Sequence, residues 1–210
     1  MSASPRRALI VIDVQNEYIT GKLPIEYPNT LYSLSNIGRV MDAANTTSTP
    51  IIVVQHTLPE SAPVFAKGSQ GWALNDVVMH RVHDLCIEKT QPSAFIGTDL
   101  AEWLSLRAVD TITVVGYMTH NCIDSTIKHA QNIGLNAEFI ADAAGSLAYR
   151  NQIGAASAEE IHRTFTVVLQ SNFAAVATTD EWITALRDGQ PLQRDNIYAS
   201  YSRSHTKEST

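Results

Sequence analysis

Three short runs of aliphatic and β-branched residues constrain this chain most: Ala8–Val14 (ALIVIDV), Ile51–Gln55 (IIVVQ) and Thr111–Val115 (TITVV). Each is too short for a buried helix and apolar on both faces, as befits a strand covered on both sides. Between them lie segments of helical period. Leu31, Leu34, Ile37, Met41 and Ala44 predict a helix over residues 30–45, ended before Pro50. Leu85–Lys89 (LCIEK) reads as a third strand in chain order, with Cys86 in the core between Leu85 and Ile87. A helix capped by Thr98 or Asp99 runs to about Arg107. Gly116 is expected to end the Thr111–Val115 strand. A helix follows from about Cys122 to Ile133, stopped by Gly134, with Ile123, Ile127, Ala130 and Ile133 buried. Ala137–Ala141 and Phe173–Ala177 read as strands, and Ala158–Val168 and Thr179–Arg187 as helices. Six strands alternating with helices predict an α/β fold. It is a three-layer α-β-α sandwich with a six-stranded, mostly parallel, Rossmann-like sheet.

The chain has 210 residues, 44% of them hydrophobic, which suits one domain over residues 1–189 and a polar tail over 190–210. Its net charge of −6 gives no footprint for nucleic acid, and no apolar stretch is long enough to cross a bilayer. The N-terminus runs from two arginines straight into a strand-like segment, so a cytoplasmic location is expected. Two cysteines, Cys86 and Cys122, form no framework pattern and read as free thiols.

Ligands of such sheets bind outside the carboxyl ends of the strands. Three ionisable residues fall there. Asp13 closes the first strand; it is either a general base or orienter of a nucleophile, or a carboxylate capping loop amides. Lys89 closes LCIEK; it either stabilises charge in the crevice or extends to the surface. Cys122 lies at the start of a helix, where the helix dipole lowers a thiol pKa and unpaired amides can hold an oxyanion. Its alternative is a small buried thiol. Together a carboxylate, a cation and a thiol suit nucleophilic catalysis with Asp as the base. The long segment 57–76 is a further functional candidate. Its Phe65 and Trp72, with Asn16, Tyr18 and Tyr117, are candidate substrate-binding residues. His120 is an alternative base, and His80 and His83 read as surface residues at a helix end.

The segments ALIVIDVQNEY, EKTQPSAFIGTDL and VVGYMTHNCIDSTIKHA, together with FAAVATTDEWITAL, resemble the isochorismatase-like superfamily of cysteine hydrolases. That superfamily includes nicotinamidases, N-carbamoylsarcosine amidases and ureidoacrylate hydrolases. The resemblance covers residues 8–186. It implies an Asp13–Lys89–Cys122 triad, a cis peptide between Tyr117 and Met118, and an oxyanion hole from the backbone amides of Met118 and Cys122. It implies a six-stranded parallel sheet and a homo-oligomer, dimer or tetramer, acting on a small-molecule substrate. Similar nicotinamidases carry an Asp-x-His metal pattern; here Val54 stands two residues before His56, so neither a metal nor another cofactor is expected. The expected activity is hydrolysis of an amide, carbamoyl or ureido C–N bond through a thioester. Vinyl-ether hydrolysis of the isochorismatase type and a redox-responsive binding role are its rivals.

Overall fold

The computed structural model describes residues 4–206; residues 1–3 of the expected domain and 207–210 of the expected tail lie outside the described residues. Strands β1 (Arg7–Ile12), β2 (Ile51–His56), β3 (Leu85–Lys89), β4 (Thr111–Tyr117), β5 (Asn136–Gly145) and β8 (Ala175–Ala177) form one sheet in the order β3-β2-β1-β4-β5-β8. Every pairing in it is parallel. A small antiparallel hairpin, β6 (Tyr149–Asn151) with β7 (Gly154–Ala156), stands apart from that sheet.

Helices cover both faces. On one, Ile37, Val40 and Met41 of α1 (Thr30–Thr46) and Trp182 of α6 (Thr179–Arg187) pack against Leu9 and Val11 of β1. On the other, Leu100 and Leu104 of α3 (Leu100–Leu106) and Ile127 and Ala130 of α4 (Asp124–Asn132) pack against Ala8, Ile10 and Ile12. Successive β1 side chains thus serve opposite layers, which is why the run lacks polar alternation. The short α2 (Asp76–Met79) follows the 57–76 segment, and α5 (Ala158–Val168) opens on a capping box formed by Ser157 and Glu160.

Several sequence expectations are corrected. Cys86 is exposed rather than core. Strand β3 is a sheet edge: Leu85 and Ile87 pack inward, while Cys86 points to the other, uncovered face. Ile133, expected in the buried stripe of α4, lies just beyond that helix and is exposed too. Gly116 does not end β4, which runs on to Tyr117. Phe173 belongs to a π-helical turn over Leu169–Phe173, so the last strand starts only at Ala175. The helix after β4 begins as a π-helical turn, Thr119–Ile123, that holds Cys122 ahead of α4. Part of the polar tail is helical, α7 (Ile197–His205), with no buried residue.

The chain winds from β1 outward to β3, then crosses back to β4 and winds the other way. Strands β1 and β4 therefore flank the switch point, where the carboxyl ends leave a crevice. Gly116 lies beside Ile12 in that pairing with φ of 110°, and a Cβ there would stand 2.0 Å from the Ile12 carbonyl oxygen. Only glycine permits this approach.

Candidate active site

Asp13 follows β1, Lys89 ends β3 and Cys122 follows β4, and the fold brings all three together. Lys89 Nζ lies 2.8 Å from Asp13 Oδ2 and donates to Cys122 Sγ at 3.2 Å. The Asp13 and Lys89 side chains are completely buried, and Cys122 is nearly so. Asp13 sits at φ of 51°, a left-handed conformation that Asp tolerates better than most residues. The chain turns sharply there, out of the strand. The carboxylate faces Lys89 as an ion pair, and Asp13 Oδ1 accepts no hydrogen bond from any described residue. Its lone pairs are therefore free to receive a proton.

Burial pushes the Cys122 thiol well above its ordinary pKa of 9.0, and the Asp13 charge pushes the same way; Lys89 opposes both. The direction is opposite to the lowering expected from the helix dipole alone. Desolvation in a sealed site outweighs the pull of a helix start. Burial alone would lower the Lys89 pKa, but Asp13 and Cys122 together raise it, so the ammonium persists. At rest a neutral thiol thus lies beside the Lys89 ammonium.

Around it, the Tyr117–Met118 peptide bond is cis. The Met118 carbonyl accepts from Asn121 N at 3.1 Å and Ile123 N at 3.3 Å. Tyr18 lies between Phe65 and Tyr117, with ring centroids at 5.0 and 5.8 Å. Burial, followed by the proximity of Cys122 and Asp13, raises its phenol pKa. Phe65 is buried at φ of 51° and meets His56 edge-on.

Three candidates brace the structure. Tyr117 turns its phenol to Ser33 Oγ, 2.8 Å away under α1. Asn16 Oδ1 accepts from Asn75 Nδ2. Trp72 donates through Nε1 to Thr57 Oγ1, and its carbonyl accepts from Gln15 and Gln55, which fastens the 57–76 segment to the sheet. His120 is not placed as a base: its ring nitrogens pair with Ser146 Oγ and Tyr149 OH. Sequence reasoning missed Tyr149 and Ser146, since YRNQIGAA carries no pattern that sets the hairpin over the site. His56 reaches the cluster through Nδ1, 3.4 Å from Lys89 Nζ. His80 caps the end of α2 and His83 lies beyond it, both away from the cluster.

The residues present do not suit a metal beside Cys122. Val54, a core residue, stands two residues before His56 where a carboxylate ligand would be needed, and no three His, Cys, Asp or Glu side chains converge for a metal among the described residues.

The isochorismatase domain model matches residues 7–181. A crystal structure of a candidate isochorismatase from Burkholderia xenovorans LB400 is 59% identical, with a TM-score of 0.97 over 99% of this chain and 100% of that one. The isochorismatase family protein YrdC of Bacillus subtilis is 29% identical over 85% of this chain and 95% of its own. Nicotinamidase 3 of Arabidopsis thaliana is 26% identical over 83% of this chain and 85% of its own, and the ureidoacrylate amidohydrolase RutB of Acinetobacter baylyi 24% over 91% and 88%. This chain belongs to the isochorismatase family and is a hydrolase.

Proposed function

We propose that this protein hydrolyses a small-molecule amide, carbamoyl or ureido C–N bond through a thioester on Cys122. The observation that carries this reading is the Lys89 ammonium lying between Asp13 and the Cys122 sulfur, 2.8 and 3.2 Å from them. A buried neutral thiol is inert until a base takes its proton, and the under-bonded Asp13 carboxylate is that base. Cys122 attacks the carbonyl carbon as Asp13 accepts the thiol proton. The backbone amides of Met118 and Cys122 hold the oxyanion, one such donor contributing about 3 kcal/mol. Asp13 then protonates the leaving amine, and water cleaves the thioester to regenerate the thiol. Lys89 pairs with the Asp13 carboxylate and offsets negative charge on sulfur during attack.

Relatives that carry the names ureidoacrylate amidohydrolase and nicotinamidase support C–N bonds as the target. The exposed Ile197, Tyr198 and Tyr201 of α7 suit a homo-oligomer, and the two free thiols suit a reducing cytoplasm. An ammonia-release screen over small amides, carbamoyl and ureido compounds tests the reading. At least one class should turn over in the wild type and fail with Cys122→Ala. Full turnover by Cys122→Ala would remove the thioester and favour direct attack by water, as in vinyl-ether hydrolysis.

A further inference from the structure

His56 reaches the Asp13–Lys89–Cys122 cluster, and the reaction outlined above gives it no role. It is the last residue of β2, and its Nδ1 lies 3.4 Å from Lys89 Nζ. An ammonium has protons to give and no lone pair to receive one, so Nδ1 is an acceptor and carries no hydrogen. Burial and the adjacent Lys89 charge hold the His56 pKa below its ordinary 6.5, against an opposing pull from Asp13. The ring is therefore neutral at pH 7, with its proton on Nε2. That nitrogen meets no partner among the described residues, yet it is not one of the sealed polar atoms without a partner. It opens to solvent, on a ring whose other nitrogen lies within two hydrogen-bond lengths of the Cys122 sulfur. The edge-to-face contact with Phe65, at 5.3 Å, fixes the ring plane.

We propose that His56 is a specificity-determining residue whose Nε2–H donates to an acceptor oxygen carried next to the reacting carbon of the substrate. The chemical class selected is an acyl compound bearing a carbonyl or carboxylate oxygen beside the atom that sulfur attacks, in preference to a plain alkyl group. Lys89 sets this selection by fixing the tautomer. The inference rests on Cys122 being the reacting thiol.

The test compares two electrophiles at Cys122: iodoacetamide, which carries an acceptor oxygen beside the reacting carbon, and methyl iodide, which carries none. Peptide mass reads each rate at Cys122 separately from exposed Cys86. Methyl iodide normalises for any change in thiol reactivity. The ratio of the two rates should fall about tenfold in His56→Phe, which keeps the ring but lacks the donor, and return to within about threefold of wild type in His56→Gln, whose amide can replace Nε2–H. A ratio unchanged in His56→Phe, or equally low in His56→Gln, would overturn the assignment. Nitrogen-15 NMR of the ring at pH 7 should show the Nε2-protonated tautomer; an Nδ1-protonated or doubly protonated ring would overturn it as well. Failure of the thioester reading is distinct: it would appear as turnover by Cys122→Ala, with the wild-type ratio unaffected.

Discussion

The Lys89 ammonium and the Asp13 carboxylate lie 2.8 Å apart with no solvent exposure of either side chain. Each charge is tolerable there only because of the other. Removing Lys89 alone strands a buried carboxylate, so Lys89→Met should cost about 3–5 kcal/mol of stability. Lys89→Met combined with Asp13→Leu should recover most of that loss. Urea denaturation of the single and double variants checks this; a double variant no more stable than Lys89→Met would contradict it.

The buried thiol makes a pH prediction. Its folded pKa lies above the ordinary 9.0, so the folded protein keeps a proton that the unfolded chain releases. The resulting stability is present in full below pH 9 and is lost as pH rises above it. Lys89, also raised, adds to the loss above its ordinary 10.5. Thermal melts should therefore fall more steeply between pH 9 and 10.5 for the wild type than for Cys122→Ser, which has no thiol to ionise. Equal slopes would show that the thiol is not held neutral by the fold.

Gly116 tests the switch-point geometry. A Cβ at this residue would meet the Ile12 carbonyl at 2.0 Å, and its φ of 110° is hostile to other residues. Gly116→Ala should lower stability by about 2–3 kcal/mol and depress turnover, because the two strands it would separate carry Asp13 and Cys122. Parallel denaturation and activity measurements check both effects.

A second buried ion pair sits at the opposite end of the sheet. Arg7 binds Glu138 through Nε and Nη2 at 2.9 and 2.8 Å, and Trp182 Nε1 and Thr113 Oγ1 also donate to Glu138. Glu138→Ala leaves the Arg7 charge without its carboxylate and should cost about 3–5 kcal/mol. Turnover per folded molecule should stay at the wild-type level, since the pair lies at the amino ends of β1 and β5. Active-site titration alongside denaturation separates the two readouts.

Much of this arrangement was legible in the residues. β-branched runs marked β1, β2 and β4 because strands buried on both faces leave few positions for polar residues. The convergence of Asp13, Lys89 and Cys122 followed from placing strand ends on one side of a parallel sheet. Cys86 was misplaced because a flanking Leu and Ile look the same on an edge strand as on a central one; only sheet order distinguishes them. The Tyr149 hairpin left no signal, since three-residue strands carry too little periodicity. The lowering of the thiol pKa expected at a helix start is outweighed for a different reason. Helix-start position is a local property, whereas desolvation depends on everything packed above the site.

The most direct measurement is rapid-quench mass spectrometry of the wild type and Asp13→Asn during turnover of an amide found by ammonia release. The wild type should accumulate an acyl mass on the Cys122 peptide that decays with product formation. Asp13→Asn, compared per folded molecule because it strands the Lys89 charge, should form that adduct about 10²–10⁴-fold more slowly. Turnover with no adduct on Cys122, or undiminished acylation in Asp13→Asn, would contradict the account.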